Sequence, residues 1–295
     1  MLLQTKFHIP TARTALVARP HLLKKLQTGQ IGKVTLVTAP AGFGKTTLVT
    51  EWLRTLDPEV TVAWLSLDKA DNDPTQFWAY IVRAIDRTLG QVNRSIQPVP
   101  RASDRAVPNA VTIALLNELS ARHHPVVLAL DDYHLIDNAA IHEALLFLIE
   151  QMPPQLHLVL TTRTVPSLPL ARLRSRHEIN ELRAEDLRFS LAEVTLFLNQ
   201  IMGLSLTTSQ VAALEARTEG WVASLQLAAL SLQSVRDPDQ FIAAFGGGHR
   251  YILDYLTEEA LQHQPPTVRD FLLKSSILER ISAPLCNLLT GRDDG

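Results

Sequence analysis

Val34-Thr-Leu-Val-Thr-Ala-Pro-Ala-Gly-Phe-Gly-Lys-Thr-Thr-Leu48 opens on apolar and β-branched residues, passes through small ones and closes on Gly44-Lys45-Thr46-Thr47. The opening run predicts a buried strand and the residues beyond Thr47 a helix, so the small residues form a strand-to-helix loop. In such a loop successive backbone N–H groups can wrap a phosphate and the helix N-terminus adds its positive dipole end, provided no bulky side chain blocks the approach. Gly42 and Gly44 remove that obstruction. Lys45 supplies a point charge for the β- and γ-phosphates, Thr46 a hydroxyl for Mg²⁺, and Thr47 a second hydroxyl within reach of the α-phosphate. Ala39, Pro40, Ala41 and Phe43 complete the cradle. Ala39 stands where the strict pattern has glycine, and alanine is small enough to keep the loop open. A glycine-containing turn with an exposed lysine has no need of strand before and helix after, so the segment is read as the P-loop of a nucleoside-triphosphate site.

Such a site needs an acidic residue at the end of a neighbouring buried strand, because Mg²⁺ takes carboxylate and water oxygens beside the triphosphate. Val126-Val-Leu-Ala-Leu-Asp131-Asp132 supplies it. Asp131 is assigned to the Mg²⁺ shell, through water, and Asp132 to orienting or activating the attacking water. Leu156-His-Leu-Val-Leu-Thr-Thr-Arg163 is the next apolar run. Its polar end is expected on the same carboxyl edge, where ligands bind in open α/β sheets. Arg163 is thereby a candidate for the γ-phosphate, since a guanidinium meets phosphate bidentately. A surface arginine after a strand is the plainer alternative.

Short β-branched runs alternate with helical patterns over the first two-thirds of the chain, the arrangement of parallel strands joined by crossover helices. Strands are predicted at 34–38, 61–67, 126–130, 156–161 and 179–182. Asp73-Pro74 reads as an N-cap with proline at the first helical position, and Pro153-Pro154 closes a helix begun near Ala139. After about Arg188 no strand-like run remains, and Ser190-Leu-Ala-Glu193 reads as a capping box. Helices follow at 209–218, 221–235, 249–262 and 267–276, with breaks at Gly246-Gly-Gly248 and Pro265-Pro266. The expected fold is an α/β P-loop NTPase: a parallel sheet with helices on both faces, then a helical domain and the start of a winged-helix unit. The boundaries are an N-terminal adenine-side segment at 1–30, a nucleotide-binding domain at 31–188, a helical domain at 189–245 and the winged-helix start at 246–295. The tail Thr290-Gly-Arg-Asp-Asp-Gly295 follows an apolar segment with little to cap it, as expected of an interrupted domain.

The 295 residues are 46% hydrophobic and carry a formal net charge of −2, which gives ample core and no global attraction to nucleic acid or an anionic membrane. The single cysteine, Cys286, excludes an intramolecular disulfide and fits a reducing, cytoplasmic compartment. No apolar stretch reaches the ~20 residues a membrane span needs. His123-His124 has no partner at metal-ligand spacing, and the Arg172 to Arg176 cluster reads as a solvated loop.

The chain resembles the N-terminal nucleotide-binding part of MalT-like, LuxR-family transcriptional regulators, of the STAND class of signal-transduction ATPases. The resemblance rests on Thr5-Lys-Phe-His-Ile-Pro10, Leu16-Val-Ala-Arg-Pro20, Ala39 to Thr47, Leu130-Asp-Asp-Tyr-His-Leu135, Thr162-Arg163, Leu182-Arg-Ala-Glu-Asp-Leu-Arg188, Gly220-Trp221 and Tyr251-Ile-Leu-Asp-Tyr-Leu256. It implies a switch with weak ATPase activity: ADP holds a resting state, an inducer favours ATP, ATP drives self-association, and slow hydrolysis resets the system. It also implies that Arg19-Pro20 lies beside the adenine, that Arg163 senses the γ-phosphate and that Trp221 contacts nucleotide. The family's inducer-binding repeats and C-terminal helix-turn-helix are absent from this sequence, so DNA contact is expected through that missing element and not from these residues. An AAA-like remodelling ATPase, or a nucleotide-binding signalling scaffold, would share the same P-loop.

Overall fold

Each apolar run that the sequence marks as a strand is one, and the five pair edge to edge in a single parallel sheet. The computed structural model describes residues 2–11, 15–30, 32–89, 106–246, 250–261, 265–278 and 282–291. The strands are β1 (Val34–Thr38), β2 (Thr61–Ser66), β3 (Val126–Asp131), β4 (Leu156–Thr162) and β5 (Ile179–Arg183), in the order β2-β3-β4-β1-β5. β1 is therefore an inner strand, paired with β4 through Val34↔Leu158 and with β5 through Val34↔Ile179. From β1 the chain runs to the far edge at β2, returns through β3 to β4, then passes over β1 to β5. The order reverses beside the carboxyl end of β1, where open α/β sheets hold their ligands.

Alternate residues along each strand face opposite layers. Val34, Leu36, Leu65, Leu128 and Leu158 pack with α3 (Pro74–Leu89), α4 (Ala106–Ser120), α5 (Ala139–Glu150) and α6 (Leu170–Ser175). Val37, Val127, Val159 and Leu182 pack on the other face with α1 (Pro20–Gly29) and α2 (Lys45–Leu53). A strand buried on both faces has no polar side to show, which is why these runs read as continuously apolar. Trp52, Trp64 and Trp78 are core residues of this sandwich.

Two compact units divide the chain, Met1–Phe197 and Leu198–Gly295. The first takes in α7 (Ala184–Leu187) and α8 (Leu191–Thr195), which the buried Arg19 side chain reaches from the start of α1. Its Nε donates to Glu193 Oε1 at 2.8 Å and its Nη atoms to the carbonyls of Leu187, Asp186 and Arg188. Ser190 and Glu193 form the capping box expected of them.

The second unit is helical among its described residues. α9 (Thr208–Thr218) starts on a Thr207–Gln210 capping box and ends where Glu219 and Gly220 turn left-handed. α10 (Val222–Leu232), α11 (Pro238–Ala244), α12 (Arg250–Leu256), α13 (Pro266–Ser275) and α14 (Ala283–Thr290) follow. The helix predicted at 249–262 is α12 continued by a π-helical stretch, Thr257–Leu261. Residues 247–249, with two of the predicted break glycines, and the tail from 292 lie outside the described residues. No described helix is long and apolar enough to cross a membrane.

Candidate nucleotide site

The loop between β1 and α2 has the geometry its small residues permit. Gly42 and Gly44 sit at φ 76° and 77°, in the left-handed region that a side chain disfavours, and Gly44 N-caps α2. Alternating left- and right-handed residues turn successive N–H groups toward one concave side, the arrangement that cradles an anion. A Cβ on Gly44 would meet nothing within 4 Å, so glycine is needed there for its backbone and not for space within the protein. Lys45 curls back over the loop, its Nζ donating to Ala39 O at 2.8 Å and Pro40 O at 2.9 Å. Burial pushes its ammonium down to about 8, aided by the nearby charge of Arg163 and opposed by those of Asp132 and Asp131.

Thr46, in the first turn of α2, donates through Oγ1 to Asp131 at 2.9 Å. Asp131 ends β3 and is buried, 5% exposed. Its carboxylate also accepts the Thr161 hydroxyl from β4 at 2.6 Å. Burial, reinforced by the charge of Asp132, pushes Asp131 up to about 6 against the pull of Thr161, Thr46 and Lys45. A hydroxyl and a carboxylate converging beside a phosphate cradle form an oxygen donor set that fits a hard divalent cation such as Mg²⁺.

Asp132 lies beyond the strand at φ 61°, its side chain 41% exposed. Its backbone N–H donates to Thr161 Oγ1 at 3.0 Å, and its carbonyl accepts from Leu135 N at 3.1 Å, closing the 3-10 turn Tyr133–Leu135. Thr161 thus braces both acids. The sequence reading assigned it no role, although a hydroxyl at the polar end of the apolar strand next to β3 was the available signal.

The other candidates fall in different places. Thr47 is exposed at the start of α2. Arg163 follows β4 and shares with Thr38, Ala39, Pro40 and Arg183 a cavity of about 260 Å³ against the P-loop. Pro20 is the first residue of α1, while the Arg19 side chain is fully committed to Glu193 and the three carbonyls beside it. Trp221 belongs to the second unit, where it N-caps α10 and its ring meets Tyr255 edge-on at 5.6 Å. Arg172 and Arg174 are held by Glu150 and Glu181. Among the described residues no His, Cys, Asp and Glu group is arranged to hold a further metal.

Fold and site together define a P-loop domain of the AAA ATPase class, and the AAA ATPase domain family matches residues 16–161. The MalT winged helix domain family matches residues 257–295. The HTH-type transcriptional regulator MalT of Serratia proteamaculans is 34% identical over 299 residues, covering 100% of this chain and 32% of that protein. The chain is a MalT-like homologue, and it spans about a third of the length of the curated relatives it matches. In fold it is similar to a STAND protein with a tetratricopeptide repeat sensor from Pyrococcus horikoshii, with TM-score 0.53 and 14% identity over 98% of this chain and 39% of that one. The Walker-type ATPase of Pyrococcus abyssi gives TM-score 0.51 and 14% identity over 90% of this chain and 81% of that one.

Proposed function

We propose that this chain is a nucleotide-dependent regulatory switch that binds ATP or ADP with Mg²⁺ and hydrolyses ATP slowly. The observation that carries the reading is the meeting of a glycine cradle, Lys45 and the Thr46–Asp131 pair at the reversal point of the sheet. Lys45 leaves its two loop carbonyls to meet the β- and γ-phosphates, exchanging neutral acceptors for charged ones. Thr46 and Asp131 hold Mg²⁺, whose chemistry there is to neutralise charge building on the transferred phosphoryl group. Asp132, the more exposed of the two acids, orients the attacking water and accepts its proton. Arg163 reaches the γ-phosphate from the end of β4 and makes the site sensitive to which nucleotide it holds.

The likeness to MalT regulators supports the remaining assignments: adenine held beside the backbone at Arg19-Pro20, an inducer that favours ATP, and self-association in the ATP state. Control by nucleotide is assigned to these residues, and DNA contact to the helix-turn-helix for which those regulators are named.

The test is to denature purified protein, identify any released nucleotide, and follow ATP turnover against protein concentration with Lys45→Ala as control. Bound ADP with slow turnover that the substitution removes supports the switch. Fast turnover rising steeply with concentration would favour a remodelling motor, and failure to bind either nucleotide would end the reading.

A further inference from the structure

The loop that follows the two acids is gripped by one side chain from a different strand connection. The 3-10 turn Lys69–Asn72 follows β2, whose Ser66 is in register with Asp131. From the end of that turn the amide of Asn72 reaches across and uses both of its ends. Its Nδ2 donates to Leu135 O at 2.7 Å, and its Oδ1 accepts from Asp137 N at 2.8 Å and from Asn138 N at 3.2 Å. Asn138 answers by donating Nδ2 to Asn72 O at 2.9 Å while its own Oδ1 caps α5.

The platform beneath Asn72 is itself fixed. Asp71 is fully buried and accepts Lys6 Nζ at 2.6 Å and Asp68 N at 2.9 Å. Lys6 lies over the ring of Tyr80 in α3 at 4.7 Å, which anchors the turn to the helix layer.

We infer that Asn72 is a positioning residue for the proposed hydrolysis, holding the Tyr133–Leu135 turn so that Asp132 keeps its left-handed backbone and its carboxylate keeps its aim. Left-handed geometry is unfavourable for a residue with a side chain, less so for Asp than for most, and it is held in one setting where its surroundings brace it. Here the enforcement has two sides: Thr161 holds the Asp132 N–H, and Leu135, whose N–H closes the turn onto Asp132 O, is itself held through its carbonyl by Asn72. An isosteric carboxylate at position 72 keeps the two acceptor contacts and loses the donor to Leu135 O. Asn72→Asp therefore separates holding the turn from holding the segment after it.

This inference rests on the nucleotide reading above. The experiment measures ATP affinity, single-turnover conversion of bound ATP, and amide hydrogen exchange in nucleotide-free protein, for wild type, Asn72→Ala and Asn72→Asp. The expected result is conversion slowed by about 10- to 100-fold in both variants, as for other residues that orient a ligating shell, with ATP affinity held within about twofold. Exchange should rise across 133–138 in Asn72→Ala and within 133–136 alone in Asn72→Asp, and stay unchanged in α2. Conversion at the wild-type rate, affinity and conversion falling together, or unchanged exchange in 133–138 would overturn the assignment. So would a wild type that binds ATP and never converts it, whereas a wild type that binds no nucleotide removes the underlying reading and this inference with it.

Discussion

Thr46 and Asp131 meet at 2.9 Å across the carboxyl edge of the sheet, joining the first turn of α2 to the end of β3. In the unfolded chain Asp131 ionises near 3.8, while burial holds it up to about 6 in the fold. Between those values the folded state carries the extra proton. The stability this group contributes is therefore present below the unfolded value and lost as pH rises through about 6. At pH 7 the carboxylate is a cost retained for ligand binding, as functional sites commonly show. Asp131→Asn keeps a partner for Thr161 and removes the buried charge. It is expected to raise Tm of nucleotide-free protein by about 2–4 °C and to abolish the gain in ATP affinity on adding Mg²⁺. A variant that melts lower and still responds to Mg²⁺ contradicts the assignment.

Lys45 and Asp131 bracket a working pH range. Burial brings the Lys45 ammonium down to about 8 and lifts the Asp131 carboxyl to about 6, so both are charged only between these values. Affinity for Mg²⁺ and ATP, followed with a fluorescent analogue, should rise from pH 5 through about 6 and decline above about 8. Asp131→Asn should remove the acid limb and Lys45→Ala the alkaline one. A wild-type profile flat from pH 5 to 9 would show that neither group governs binding.

Much of this was legible in the sequence because the strands are buried on both faces. All five runs appear as strands within a residue or two of their predicted limits. For the first four a continuous apolar stretch bounded by polar residues leaves few alternatives, whereas β5, Ile179-Asn-Glu-Leu-Arg183 at the sheet edge and only partly buried, carries the weakest signal. The P-loop was legible for a related reason: glycine, lysine and hydroxyl follow at fixed offsets, so the loop carries its chemistry locally. Arg19 shows where local reading ends. Its partners, Leu187 O, Arg188 O and Glu193, lie far along the chain, and nothing around position 19 announces that the guanidinium turns toward them. Asn72, at the end of a 3-10 turn, and Thr161, near the end of β4, were missed likewise, as polar residues whose value comes from a neighbour the sequence does not adjoin. α11 is a different kind of miss, because Asp237-Pro238 carries the same N-cap and proline signature as Asp73-Pro74, and Asp237 does accept from Gln240 N at 3.1 Å. Its few apolar residues gave a periodicity too short to register.

Gly44→Ala tests the backbone of the cradle separately from its charges. The added methyl meets no protein atom within 4 Å, but φ 77° is unfavourable for alanine. The cost is about 1–2 kcal/mol, small enough to leave the chain folded. Relaxation toward negative φ would turn the loop amides away from the phosphates, so ATP affinity should fall by at least about tenfold. Calorimetry of the folded variant reads both quantities. Full affinity with the expected loss of stability would mean that the amides at this position do not face the ligand.

Glu193→Ala tests the tie between the start of α1 and α8. Burial alone would raise the Glu193 carboxyl, but the Arg19 guanidinium and the Ser190 contacts outweigh it and hold Glu193 below the usual carboxylate range. The pair therefore stabilises the fold above the unfolded value of 4.5, and that contribution is lost as pH falls through the lower folded value. Removing the acid leaves Arg19 buried with its carbonyl partners but without a counter-charge, a loss of about 3 kcal/mol where such pairs are broken from one side. Urea unfolding at pH 7 should register this loss, and the difference between wild type and variant should shrink toward pH 3 as the wild-type carboxyl takes up its proton. A difference that stays constant with pH would assign the effect to lost packing rather than to the ion pair. The P-loop should keep its geometry in the folded variant, because Ala39 to Thr47 is held by β1, α2 and Asp131, so a fall in ATP affinity in that variant would report the proposed adenine-side segment at Arg19-Pro20 and not the phosphate cradle.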